Sequence, residues 1–421
     1  MNTYKGGKND SVDLPPVPMR RSHVCACAAM EKKLINIPDV YEHTEEYDFS
    51  GPKNYDAMTG YRTQSMLVVP MEDENGDVIG VLQLINAQNK EGQTVPFEEG
   101  YEKVISSLAS QAAICLMNMK HAAETMELLD SFVRVMSTAI DARTPYNANH
   151  TKNMVRYGGK FLQYLRDIDH EWQLDKQQEK EFLMSVWLHD IGKLVIPLGV
   201  MDKETRLGNR LSQVKHRFEK MTLLAELSHA KGEMTDEELQ TRLTLLEEGM
   251  EAIRGANRAG FLPDETMKQV QEIALRTYID TDGTKKTWLT EEELTCMMIR
   301  KGTLSDEERK IMQSHVEMTE KFLNEVHFPK SFSNVTRWAS SHHELLNGKG
   351  YPRQLGQDDI EKEVRLLSIL DIFDALTARD RPYKPPMPVE KALLVLADMV
   401  KFGELDGDIL ALFANSKAWE D

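Results

Sequence analysis

The sequence predicts a multidomain chain: an N-terminal mixed α/β domain, a long connecting helix, and an all-α C-terminal domain with a helical insertion. Three observations predict it. Two short β-forming runs flank an Asn-Gly pair near the start. A helical spacing of apolar residues then begins at about Phe97, with no Pro or Gly between Tyr101 and Pro145. Beyond Pro145 the pattern is almost wholly helical.

Length and composition set the frame for these elements. A chain of 421 residues suggests two or three folded units, and 41% hydrophobic with 28% charged residues suffices to bury their cores. The 51 basic and 68 acidic residues leave a net charge of −17, which argues against polymeric nucleic acid or an anionic membrane as partner. The opening residues carry no apolar leader, no run reaches membrane-spanning length, and four scattered cysteines make no disulfide framework. A cytoplasmic location is therefore expected.

In chain order, Ser65–Pro70 and Val78–Ile85 read as strands, joined by a turn for which Asn75-Gly76 supplies positive φ angles. Val104, Leu108, Ala112, Cys115 and Met119 then fall at helical spacing, continued by Met126, Leu129, Phe132 and Met136. Residues 203–300 form a charge-rich block. Leu211, Val214, Phe218, Met221 and Ala225 step by three and four. So do Leu239, Leu243, Leu246, Met250 and Ile253, after Gly232 and a Thr235…Glu238 capping box. The block is expected to be a protruding antiparallel helix pair, a solvated insert or a partner surface.

Chemistry concentrates in the helical part. Asp190 lies seven, four and three residues after Leu183, Val186 and Trp187, so it points into a buried face. An isolated carboxylate there needs a compensating cation or donors. Asp371 interrupts the stripe Val364, Leu367, Ala375; His315 sits among Ile311, Met312, Met318 and Phe322; His150 is in line with Met154, Tyr157 and Phe161. Any one of these alone reads as a satisfied core polar residue. Four such helices and the adjacent pair His342-His343 are not explained that way. Five imidazoles and two carboxylates exceed one tetrahedral ion and suit two ions sharing a bridge.

His189-Asp190 with Lys193, His342-His343-Glu344 followed by Asn347-Gly348 and Gly350-Tyr351-Pro352, and the stretch from Asp371 through Asp374 to Arg381 and Lys384 together resemble the HD-GYP phosphodiesterases. The resemblance covers roughly 125–202 and 301–400. It implies an all-α domain whose two divalent transition-metal ions, iron or manganese, serve hydrolysis of a cyclic dinucleotide to a linear 5′-phosphorylated product. Carried over residue by residue, it makes His150, His189, Asp190, His315, His342, His343 and Asp371 the metal ligands, with Asp190 the bridge. Asp190 and Lys193 are then catalytic, and Lys193, Tyr351, Asp374, Arg381 and Lys384 contact substrate. Two metals can acidify a bridging water and neutralise phosphodiester charge, and Lys193 adds positive charge at a phosphate oxygen. Gly348 and Gly350 permit a tight loop that Pro352 stiffens.

Three departures from the family pattern are evident. Leu345 and Asn347 replace its usual Arg and Asp, which alters loop contacts and guanine preference. No acid lies within Pro145–Asn149, so two ions are expected rather than three. His315 stands far from Asp190 because 203–300 intervenes, and the insertion must leave its flanking helices adjacent.

The first domain resembles a GAF domain through Asn36–Asp39, Gly60–Ser65 and Gly80–Asn86. It starts late for that family, so a shortened domain or an incomplete reading frame is expected. Of the cyclic-nucleotide-binding pattern, Asn86, Phe97 and Glu102 fit, whereas Ala87 and Tyr101 do not, which favours a structural or dimerising role. His23-x-Cys25-x-Cys27 lacks a fourth ligand and reads as packing. A calcium loop at Asp280-Thr-Asp282-Gly283 would put Leu289 at the bidentate position and is no EF-hand.

The expected organisation is a GAF-like domain over 1–122 and an HD-GYP domain over 123–421 containing the insertion, assembled as a homodimer through the GAF-like domain or the long helix. The expected substrate is cyclic di-GMP or 3′,3′-cyclic GMP-AMP. A catalytically silent signalling module that binds nucleotide or partner proteins is the alternative, disfavoured because all seven ligands are kept.

Overall fold

Alternation along one strand organises the N-terminal unit. The computed structural model describes residues 17–42, 46–143, 149–378 and 386–420, which divide into the units Met1–Leu129 and Asp130–Asp421. The first contains α1 (Val24–Glu31), β1 (Ile35–Ile37), α2 (Ser50–Thr59), β2 (Met66–Glu72), β3 (Val78–Ile85), β4 (Ala87–Gln88), β5 (Thr94–Val95) and the start of α3 (Glu99–Asp141). β2 is the middle of an antiparallel sheet ordered β1-β2-β3, with Ile35 opposite Val68 and Met66 opposite Ile85. Met66 and Val68 pack with Val24, Cys27 and Ala28 of α1, whereas Leu67 and Val69 pack with Ile105 and Ala109 of α3. Successive residues meet opposite helices, so Met66–Val69 are all apolar instead of alternating. Its hairpin turns where Asp73 Oδ1 accepts from the backbone N–H of Asn75 and Asp77. Gly76 takes a φ of 78° there, open to a residue without Cβ.

Cys27 belongs to this core, and Glu102 accepts from Asn36 Nδ2 at 2.8 Å, fastening α3 to β1.

In the second unit, α4 (His150–Asp167), α5 (Lys176–Leu188), a 3-10 turn Ile191–Val195 and α6 (Leu198–Met201) precede the insertion. After it come α11 (Asp306–Gln313), α12 (His315–Asn324), α13 (Val335–Ala339), α14 (Lys362–Thr377), α15 (Val389–Lys401) and α16 (Gly407–Ser416). Their core joins Met154 and Phe161 of α4, Phe182 and Val186 of α5, Leu367 and Phe373 of α14 and Phe413 of α16. α5 starts at a capping box, Asp175 accepting from Gln177 and Gln178 N–H. Among the described residues no helix is long and apolar enough to cross a membrane.

The insertion is more than a helix pair. α7 (Arg210–Ala230), α8 (Asp236–Arg258), α9 (Asp264–Leu275), the antiparallel hairpin β6 (Thr277–Ile279) and β7 (Lys285–Thr287), and α10 (Glu291–Met297) enclose their own core around Phe218, Met250, Ile253, Tyr278 and Trp288. The expected antiparallel helices, α7 and α8, are thus joined by two further helices and a short hairpin that the sequence reading did not include. Asp280, in the hairpin, pairs with Lys220 and Lys286. At the root, the fully buried Arg206 donates to the carbonyls of Ile299 at 2.7 Å and Ala256 at 2.8 Å, and to those of Ala259 and Arg300. Lys203 Nζ meets Glu308 at 2.6 and 2.8 Å. The entering and leaving strands of chain are thereby tied side by side. Arg206→Met is expected to cost about 2–4 kcal/mol by stranding these buried carbonyls, read as a lowered thermal midpoint of the whole chain. An unchanged midpoint would show that the guanidinium is dispensable.

Candidate metal centre

Five helical elements deliver seven side chains to one place. His150 is the first residue of α4, His189 caps the end of α5 with Asp190 next, His315 opens α12, His342-His343 follow α13, and Asp371 lies within α14. Four of the five imidazoles are aimed by their inner nitrogen. Nδ1 of His189, His315 and His342 meets the carbonyl three residues earlier, of Val186, Met312 and Ala339, at 2.7, 2.6 and 2.7 Å. Nδ1 of His150 donates to Asp374 Oδ2 at 2.7 Å. A carbonyl or carboxylate only accepts, so the proton sits on Nδ1; the Nε2 lone pairs of His189, His315 and His342 are then free, while His150 Nε2 faces Asp371.

Those free atoms converge. Asp190 Oδ2 lies 3.2 Å from His189 Nε2 and 3.8 Å from His150 Nε2, while Oδ1 lies 3.4 Å from His315 Nε2 and 3.9 Å from His342 Nε2. One carboxylate thus faces two imidazole sets. Asp371 adds Oδ1 at 3.3 Å from His150 Nε2 and Oδ2 at 3.9 Å from His343 Nδ1. Two groups, His150–His189–Asp190 and His315–His342–His343, each bring their ligand atoms within 4.8 Å of one another. Nε2 of His189, His315 and His342 and Oδ1 of Asp190 are buried without a hydrogen-bond partner among the described residues. Orphaned nitrogens and a carboxylate around one point fit divalent cations, which supply the missing partner.

Electrostatics keeps three imidazoles neutral and both carboxylates charged, whereas His150 has to give up a proton before it can ligate. Burial pushes His315 down to about 4 and His342 and His343 downward as well, so these imidazoles are neutral. Burial also opposes the charge on His150, but its bonds to Asp371 and Asp374 outweigh it and push the group up to about 10. Burial would raise Asp190, yet His189 and Lys193 hold it well below the usual carboxylate range. Asp371 is held low in the same way against its own burial, chiefly by His150. Lys193 Nζ donates to Asp190 Oδ2 at 2.5 Å; burial opposes its charge, and Asp190 and Asp371 retain it.

The frame around these ligands is tight. Gly192 N–H donates to Thr319 Oγ1 at 3.0 Å, and Thr319 Oγ1 donates to the His189 carbonyl at 2.9 Å. A Cβ on Gly192 would stand 1.8 Å from the His315 carbonyl oxygen. Glu344 accepts from Arg353 and Leu355 N–H at 2.7 and 3.0 Å, closing the loop that carries Tyr351. The Tyr351 ring stacks on His343, centroids 4.7 Å apart. Ser368 Oγ donates to the His342 carbonyl at 2.7 Å.

Asp374, expected to contact substrate, is 1% exposed and occupied with His150. It lies one turn beyond Asp371 on the same helix face, so spacing alone could not separate a substrate contact from a ligand-orienting one. Arg381 and Lys384 lie outside the described residues. Thr319 and Glu344 are supporting residues that the sequence reading did not single out; Glu344's place beside the His pair was the available signal, and Thr319 offered none.

Comparison with known proteins agrees with this architecture. The HD domain family model matches residues 292–409 and the GAF domain family model matches residues 6–116. The chain is 39% identical over 97 residues to 3′3′-cGAMP-specific phosphodiesterase 3 of Vibrio cholerae, covering 23% of this chain and 20% of that protein. It is 34% identical over 96 residues to a cyclic di-GMP phosphodiesterase of Thermotoga maritima, covering 23% of this chain and 26% of that one. Each match therefore spans about a quarter or less of the relative's length. A crystal structure of a cyclic GMP-AMP-specific phosphodiesterase of V. cholerae aligns with a TM-score of 0.33 at 12% identity, over 68% of this chain and 47% of that one. The chain joins an N-terminal GAF domain to a mostly helical C-terminal HD domain.

Proposed function

We propose that this chain is a metal-dependent phosphodiesterase that opens a cyclic dinucleotide, 3′,3′-cyclic GMP-AMP or cyclic di-GMP, to the linear 5′-phosphorylated dinucleotide. One observation carries the reading: buried, unpartnered atoms of His189, His315, His342 and Asp190 face one another, with the two Asp190 oxygens turned to different imidazole sets. The relatives named for hydrolysis of these two rings support the substrate class.

In this reading His150, His189, Asp190, His315, His342, His343 and Asp371 hold two divalent ions, iron or manganese, with Asp190 between them. Such ions, when bound, acidify a water and neutralise phosphodiester charge. Lys193 fixes Asp190 and presents its ammonium to a nonbridging oxygen, where charge grows in the transition state. Tyr351, held flat on His343, offers an aromatic face to a base. Asp374 keeps the His150 proton on Nδ1, and Arg381 and Lys384 take the second phosphate, as the family resemblance implies.

The GAF-like domain over 1–122 and the HD-GYP domain over 123–421, with its insertion at 203–300, form a cytoplasmic homodimer. Exposed Val104, Leu108, Met119, Leu128 and Phe132 along α3 support pairing through that helix.

The test is turnover by the full chain loaded with Fe(II) or Mn(II), with metal analysis alongside. Conversion of at least one ring to its linear dinucleotide, with close to two ions per chain, is expected, and comparison of kcat/KM selects between the rings. Two bound ions with no hydrolysis of either ring would leave the silent signalling module as the correct reading.

A further inference from the structure

The long helix ends among the supports of the metal centre. Asp141, its last residue, is 4% exposed. Its Oδ1 accepts from Thr151 Oγ1 at 3.1 Å, and Thr151 directly follows His150 in the first turn of α4. Its Oδ2 is buried without a hydrogen-bond partner among the described residues. The carboxylate is close enough to attract His150, His189 and Lys193 and to repel Asp190. Two residues later Arg143 donates Nη1 to the Lys193 carbonyl and Nη2 to the Ile196 carbonyl, the latter at 3.1 Å.

Two residues at one helix end therefore grip both flanks of the centre. One flank is the turn that begins with His150; the other is the 3-10 turn that follows Asp190 and contains Lys193. A helix that merely stopped here would leave its end to water, since terminal groups are readily satisfied by solvent. Burial of a carboxylate with one oxygen unmatched opposes folding. Such a group persists where another requirement holds it, and among the described residues the spacing of the ligands is such a requirement.

We infer that Asp141 and Arg143 are positioning residues: the last turn of α3 sets the separation between His150 and the Asp190–Lys193 turn, and with it the affinity of the centre for metal. The inference rests on the metal-binding reading of the site. It concerns bonds rather than charge, because it is the hydroxyl of Thr151 and two backbone carbonyls that are held.

The experiment titrates Mn(II) into the metal-free full chain and follows the thermal midpoint of the same samples. Asp141→Ala and Thr151→Val are expected to weaken Mn(II) binding about 10–100-fold, the loss typical of removing an outer partner of a metal ligand. Arg143→Met is expected to shift it in the same direction. Asp141→Asn and Thr151→Ser, which keep the acceptor and the hydroxyl, are expected to bind as the unaltered chain does. Such rescue separates positioning from a general loss of fold, as does a metal-free midpoint equal in the Thr151→Val and Thr151→Ser chains. Unaltered Mn(II) affinity in both Asp141→Ala and Thr151→Val overturns the inference. So does equal weakening by Asp141→Asn and Asp141→Ala, since charge alone would then be acting. Failure of the unaltered chain to take up Mn(II) at all would instead remove the metal-binding reading beneath it.

Discussion

Asp190→Ala is expected to abolish turnover of either cyclic dinucleotide and to leave the purified chain with less than one metal ion. The reason is geometric. Asp190 and Asp371 both turn their oxygens to the two imidazole sets, but Asp190 reaches four imidazoles where Asp371 reaches two, lying 3.2 Å from His189 on one side and 3.4 Å from His315 on the other. On the two-ion reading proposed above, removal of Asp190 would take a ligand from both ions, so the loss should exceed the about 10–100-fold that follows deletion of an outer-shell partner. It also strips Lys193 of its nearest counter-charge. Metal analysis and a turnover assay on the same preparation check the prediction. A variant that retains two ions and measurable hydrolysis would show that Asp190 does not bridge.

Gly192→Ala, a change of one methyl group outside the ligand set, is expected to be nearly as damaging. The added Cβ would lie 1.8 Å from the His315 carbonyl oxygen and 2.6 Å from Thr319 N. Both neighbours are backbone, so no side chain can swing aside. α12 has to recede by about 1.6 Å to restore an ordinary contact of 3.4 Å. That movement carries His315 away from Asp190 and breaks the Gly192–Thr319–His189 hydrogen-bond chain. A misplacement near 1 Å can cost about 10²-fold in rate. The expected result is a chain that loses at least that factor in kcat and one of its two ions, whereas Thr319→Ser, which keeps the hydroxyl, stays near the unaltered rate. Wild-type metal content in Gly192→Ala would show that α12 can yield without disturbing the centre.

How much of this was legible in the sequence depends on the kind of signal. His150, Asp190, His315 and Asp371 each interrupt an apolar helical stripe, and a polar residue on a buried face is readable before any coordinates exist. The motifs around His189-Asp190 and His342-His343 added order and identity. What stayed hidden depends on contacts between distant segments. Thr319 is an ordinary helix residue until the turn after His189 is laid against it. Asp141 looks like any acid at a helix end, its partner Thr151 lying ten residues further on. The β6–β7 hairpin went unread because three-residue strands are too short to show a period and Lys285, Lys286 and Thr287 carry no apolar face. The second core of the insertion was concealed for a related reason: Tyr278 and Trp288 belong to the hairpin and the turn after it, not to the helical stripes that gave α7 and α8 away.

The clasp at Arg206 has a consequence for how such a chain came to be assembled. Where an excursion leaves and returns through neighbouring points, the host need not be re-threaded to accept it, and the added length raises the entropy of closure only logarithmically. A block with its own interior, joined at a single buttoned seam, behaves as a detachable cassette: it can be lengthened, reshaped or shed in evolution while the catalytic frame on either side keeps its geometry.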